Sequence, residues 1–180
     1  YYFPDWQIYG EKSFGRGANV MVAATENHDD NVLRFKNVGG YLKLQVYSSE
    51  QRSIDYIELE GNNGERITGE AYIESSYGWD PRVEMSENAG TMLTLDCVDT
   101  EHWVDIAIST DPENPTDFWF VLPPTYFDNG ITVRIYDTEG NICTKSTYNW
   151  IPVERNCIQP LSTFEFVAGG GNQGGGNEDL

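Results

Sequence analysis

The stretch from Val32 to Leu59 constrains the fold most, and within it the run Tyr41 to Tyr47, read Tyr-Leu-Lys-Leu-Gln-Val-Tyr. Leu42, Leu44 and Val46 alternate with Tyr41, Lys43, Gln45 and Tyr47. A period of two places the three aliphatics on one face and polar or amphipathic groups on the other. That pattern belongs to an antiparallel strand with one face on a core and one toward water. Ile57 and Leu59 repeat it between Tyr56, Glu58 and Glu60, and Gly61-Asn62-Asn63-Gly64 follows as a turn. A further extended run, Ile67 to Glu74, is expected to return from that turn as the second arm of a hairpin.

Strand-like segments recur along the rest of the chain with turn residues between them. Val20 to Ala24, Arg82 to Met85, Thr91 to Cys97, Ile131 to Tyr136 and Ile142 to Trp150 read as strands, with Ile151 to Cys157 and Thr163 to Val167 last. Phe118 to Leu122 is apolar on both parities, which predicts a strand buried on both faces in the middle of a sandwich. Long helical patterns are missing, and 13% of residues are aromatic. The fold class that follows is all-β, an antiparallel β-sandwich or barrel. Gly169 to Gly176 is a glycine-rich tether, so the folded domain is expected over 1–168 and a flexible linker to a further domain over 169–180.

The 180 residues carry a formal charge of −18, with a pI near 4.2. Such a surface repels nucleic acid and anionic membrane, which excludes both as expected partners. No apolar stretch is long enough to span a bilayer, and no signal peptide opens the chain. It begins on Tyr1-Tyr2-Phe3-Pro4, as an excised or processed segment would. Of the three cysteines, Cys143 and Cys157 flank neighbouring strands, so one bridge is conceivable, while buried free thiols are the default.

No motif marks a catalytic centre. Asp96, Asp99, Glu101 and Asp105 gather around His102 and Trp103, in a pattern more typical of a solvated turn than of a metal or catalytic site. There is no nucleophile elbow, phosphate loop or dinucleotide fingerprint, and no enzymatic activity or cofactor is expected. Calcium is the one metal with a candidate loop, through Asp111, Glu113, Asn114 and Asp117. Surface aromatics are the remaining handle, since exposed Trp and Tyr stack on sugar rings or anchor protein partners. The candidate contacts are Trp79 and Trp103 in loops, and Tyr1, Tyr2, Phe3 and Trp6 in the aromatic N-terminal segment. Trp150 is also placed at a strand end.

Several runs together resemble one family. They are Phe14 to Ala23 (Phe-Gly-Arg-Gly-Ala-Asn-Val-Met-Val-Ala), Leu33 to Leu44, Ile57 to Glu65, Leu93 to Cys97, Phe118 to Pro124 and Thr144 to Thr147. Their order and spacing are similar to the fimbrillin-like domains of Bacteroidetes surface lipoproteins and pilins, from about Tyr9 to about Val167. The resemblance implies a transthyretin-like sandwich lacking its first strands, without catalytic residues. It implies a place at the cell surface, anchored to the outer membrane or within a fimbrium through segments outside this chain. It also implies a role in adhesion or pilus-like assembly, with other surface or pilus subunits or a host or glycan ligand as partner. In such pilins a donated strand fills a gap in the neighbouring subunit. A missing first strand would leave a hydrophobic groove, with Tyr1 to Tyr9 and Thr163 to Val167 as open edges. The glycine-rich tail departs from a donor strand, since glycine has no side chain to fill a groove. A carbohydrate-binding accessory domain of a glycan-uptake system is the alternative, and it requires a row of coplanar exposed aromatics.

Overall fold

A computed structural model describes residues 1–169. The tether beyond Gly169 lies outside the described residues. In chain order the strands are β1 (Tyr2–Phe3), β2 (Trp6–Gly10), β3 (Ser13–Phe14), β4 (Met21–Val22), β5 (Lys36–Asn37) and β6 (Gly40–Tyr47). Next come β7 (Ser53–Gly61), β8 (Gly69–Glu74), β9 (Arg82–Met85), β10 (Met92–Asp96), β11 (Val98–Asp99) and β12 (Val104–Ala107). The chain ends with β13 (Thr116–Leu122), β14 (Thr125–Phe127), β15 (Ile131–Asp137), β16 (Ile142–Ser146), β17 (Ile151–Val153), β18 (Ile158–Pro160) and β19 (Phe164–Glu165). No helix occurs among the described residues. The molecule is an all-β sandwich dominated by antiparallel pairing, as its alternating pattern requires.

The larger sheet is built on β7, which takes β15 on one flank and β10 and β12 on the other. Its register aligns Ile135, Ile57, Leu95 and Gln7 in one row, and Val133, Leu59 and Leu93 in the next. All the aliphatics in these rows are fully buried. Arg134, Glu58, Tyr136 and Tyr56 alternate with them and form the outer face, where Tyr56 and Tyr136 stack at 4.2 Å. The facing sheet has β6 at its centre, with β13 antiparallel on one flank and β18 and β19 parallel on the other. Leu42, Leu44, Phe118, Phe120 and Leu122 point from it into the same core.

Three expectations change. The Gly61 to Gly64 turn is real, with Gly64 at φ +69°, but it is not the tip of a hairpin. β7 pairs with β10 and β15, and β8 leaves the sheet to pair with β1 and β9. Asn62 ties the turn to the neighbouring loop end, donating to the Asn129 and Thr147 carbonyls at 2.9 and 2.8 Å. Second, β13 is buried on both faces but lies at a sheet edge. Its outer residues Trp119 and Val121 are covered by the loop carrying Phe14 and Ala18, and Phe14 stacks on Tyr41 at 5.1 Å.

Third, both terminal segments are taken into the sheets: β1 and β19 are edge strands that each pair with one strand of this chain, and β2 is an interior strand. β1 pairs with β8, β2 lies between β10 and β3, and β19 continues β18 along β6. The free flank of β13 is closed by a side chain: Gln7 donates through Nε2 to the Val121 carbonyl at 2.7 Å and accepts from the Val121 N–H at 3.0 Å. A primary amide presents the same donor and acceptor as a peptide, so Gln7 pairs with β13 as one residue of a strand would.

A second, smaller core stands beside the sandwich. The three-stranded sheet β1-β8-β9 and the β4-β5 pair enclose Phe3, Val38 and Ala71, with Val20, Val22, Ile73, Val83 and Met85 around them. This annexe carries the loops that make the candidate site.

Candidate functional site

The loop from Ser75 to Pro81 joins β8 to β9 at the edge of the annexe. Gly78 has φ +77°, a conformation that strains any side chain with a Cβ, and nothing lies within 4 Å of where that Cβ would stand. Backbone conformation rather than space requires glycine there. The next residue, Trp79, is 72% exposed. Its peptide is nonetheless fixed: its N–H donates to the Ser76 carbonyl at 3.1 Å, and its carbonyl accepts from Lys36 Nζ at 2.8 Å.

Asp80 holds that turn to the rest of the molecule. It takes Lys36 at 3.2 Å and Arg155 at 2.9 Å. The Lys36 hydrogen bond and the Arg155 guanidinium keep its carboxyl below the ordinary aspartate range. Arg155 also donates to the Asn37 carbonyl at 2.9 Å, joining annexe to sandwich. Hollows open on either side of the Trp79 loop. One of about 290 Å³ is lined by Glu74, Ser76, Trp79, Asp80 and Arg82. Another of about 180 Å³ includes Arg34, Lys36, Tyr77 and Trp79. Phe35 and Tyr77 are exposed close by in sequence to these residues.

The other named aromatics do not converge on this loop. Trp103, 79% exposed, sits at φ +55° in the turn between β11 and β12. His102 Nδ1 lies 2.6 Å from Asp99 Oδ2 there, and that contact, with the Glu101 N–H, holds Asp99 below its ordinary value. Trp6 is exposed on the outer face of the larger sheet, and its indole donates to Asp96. Burial nevertheless leaves the Asp96 carboxyl above its ordinary value. Tyr1 and Tyr2 are exposed at the annexe edge. Phe3 is fully buried and offers no ring to a ligand, because it is the centre of the small core.

A pair outside the named set is better organised. Tyr126 of β14 and Trp150, just before β17, are stacked at 6.1 Å with planes 9° apart. Their exposures are 58% and 59%. Tyr126 faces Pro152 across the ladder, while Phe127 and Ile151, directly opposite each other, point inward and are buried. Trp150 was legible as a strand-end aromatic; its pairing with Tyr126 needed the β14–β17 register. Tyr148, 70% exposed, is two residues away in sequence.

The acidic loop proposed for calcium is not drawn together. Asp111 accepts from the Glu113 N–H at 2.9 Å and the Asn114 amide at 2.7 Å. Asp117 lies on β13 and pairs across to Lys43 at 2.9 Å and Gln45 at 2.9 Å. All three thiols are free: Cys97 and Cys143 are buried, which pushes both thiols up, and Cys157 is exposed.

No protein-family model and no curated protein matches the sequence. Among solved structures the chain is similar to a protein from Bacteroides ovatus ATCC 8483, described only provisionally as a cell adhesion protein. The identity is 13% and the TM-score 0.37, over 76% of this chain and 43% of that one. This chain therefore spans less than half of that protein's length. A likeness of that size transfers neither fold nor function.

Proposed function

We propose that this chain is a non-enzymatic binding domain of a bacterial cell-surface protein, working in adhesion or in a fimbria-like assembly. The observation that carries this reading is the exposed Trp79 ring on a pinned turn. Exposing so large an apolar surface is unfavourable in isolation, while fixing its backbone lowers the entropy lost when a partner covers it. β1, β2 and β19 each already pair with a strand of this chain, which favours adhesion over donation of these segments to a neighbour. The fimbrillin-like motifs supply the surface context, with anchoring through segments outside this chain.

Beads coated with the domain, presented to epithelial and bacterial cells, test this directly. Retention that falls severalfold with Trp79→Ala supports it; retention no greater than that of beads coated with an unrelated acidic protein removes it. The carbohydrate-binding alternative is favoured by one specific feature, the near-parallel Tyr126 and Trp150 rings. Affinity gels cast with neutral polysaccharides check it, with the expectation that the Tyr126→Ala, Trp150→Ala double variant migrates freely where the native domain is retarded.

A further inference from the structure

We infer that the Trp79 corner is a binding site for a carboxylate-bearing saccharide, an inference that rests on the binding-domain reading above. Three features converge there. The first is the ring itself, whose negatively charged face suits the C–H-rich face of a sugar. The hollows beside it, about 290 and 180 Å³, sit at or below the low end of small-ligand pockets, roughly 300–1,000 Å³. A single sugar unit on each side of the ring suits them better than a macromolecular face.

The second feature is charge. The chain carries 11 Lys and Arg against 29 Asp and Glu. Yet Arg34, Lys36 and Arg82 line the two hollows, with only Glu74 and Asp80 as lining carboxylates, and Arg155 stands beside them on Asp80. A ligand seated there responds mainly to charges within a Debye length, about 8 Å at physiological ionic strength, so the distant acids are screened. A short anionic saccharide can be held where a long polyanion is repelled.

The third feature divides the cations into two roles. Lys36 and Arg155 are committed to Asp80 and hold the loop. Arg34 and Arg82 are exposed. Among the described residues Arg34 pairs with Asp30 alone, at 3.8 Å. Arg82 stands opposite Glu74 in the β8–β9 ladder and makes no ion pair among the described residues. One available guanidinium therefore flanks each side of the Trp79 loop, and guanidinium is the group that binds a carboxylate through two parallel hydrogen bonds. Glu74 and Ser76 supply acceptors for sugar hydroxyls in the larger hollow.

Calorimetric titration of the native domain tests this with trigalacturonate and sialyllactose as anionic probes and maltotriose as the neutral one. At least one anionic probe is expected to bind, more weakly at high salt, with maltotriose about tenfold or more weaker, the equivalent of one charge-assisted hydrogen bond. Arg82→Gln or Arg34→Gln should weaken that binding about fivefold to tenfold, and Trp79→Ala should abolish it, with melting curves unchanged. Absence of binding by both anionic probes overturns the inference, as does equal binding of maltotriose or indifference to both arginine substitutions. Cell adhesion that survives such a result leaves the binding-domain reading intact and removes only the acidic-sugar assignment.

Discussion

The sandwich and the annexe are built from the same kinds of strand but distribute their apolar residues differently. In the sandwich, β7 and β15 bury the aliphatic residues of one parity and leave charged and tyrosine side chains outside, while β6 and β13 carry a second, covered patch at Tyr41, Trp119 and Val121. In the annexe, three fully or nearly buried residues hold a small core, while Met21, Tyr72, Tyr77 and Trp79 of its strands and loops remain in water. One region uses its hydrophobic surface to hold the fold. The other is attached firmly enough, through Asp80, Lys36 and Arg155, to present some of that surface to a partner. Binding residues placed on loops over a rigid scaffold can change without loss of the core beneath them.

The comparison predicts a steep gradient in stability. Phe120→Ala, at the centre of the sandwich, should cost about 4 kcal/mol in urea unfolding. Phe3→Ala should cost about half as much, because the smaller annexe core relaxes more readily, and hydrogen exchange should quicken first in β1, β8 and β9. Equal losses at the two sites, with uniform exchange, would show that the regions unfold as one unit.

Gln7→Leu comes next, at about 2 kcal/mol, because it leaves the Val121 N–H and carbonyl without partners. It also opens the β13 edge, so the variant should associate with increasing concentration in sedimentation experiments while the native domain does not. A monomeric, fully stable variant would mean that the Gln7 amide adds nothing to edge protection.

Asp137 gives an effect of similar size with a pH signature. It is 4% exposed and meets Arg52 at 2.7 Å. Burial raises its carboxyl, but the Asn141 side chain and N–H, Arg52 and the Glu139 N–H outweigh burial and hold it below the ordinary aspartate range. A group whose folded value is depressed adds stability above its unfolded value and loses it as pH falls through the folded one. Asp137→Asn should therefore cost about 2 kcal/mol near neutrality. The gap from native protein should narrow below about pH 4, as read from denaturation midpoints across pH. The smallest effect belongs to the annexe surface: Trp79→Ala should shift stability by no more than about 0.5 kcal/mol while removing binding.

Much of the sandwich was legible because its signal is local. The alternation in Tyr41 to Tyr47 and Ile131 to Tyr136 assigns each side chain to a face before any partner is known. The turn at Asp137 to Asn141 was legible too, and its hairpin formed as expected between β15 and β16. Gly61 to Gly64 shows the limit of this: its residues specify a reversal, but not which strands meet beyond it. Trp79 could be picked out as a loop aromatic. Its flanking hollows depend on Arg34, Lys36 and Arg155, which are far apart in the chain and brought together by β5, Asp80 and the segment after β17.

By itself, then, the order of residues determined the all-β class, the inward and outward faces of the long strands, and the acidic surface, since each depends on near neighbours or on a simple sum of charge. Tertiary structure alone decided that Phe3 is core while Tyr1 and Tyr2 are surface of a separate annexe, and that Gln7 closes an edge more than a hundred residues away in sequence. It also decided that Tyr126 lies parallel to Trp150. These are pairings between distant segments, and period and composition carry no information about which distant segments meet.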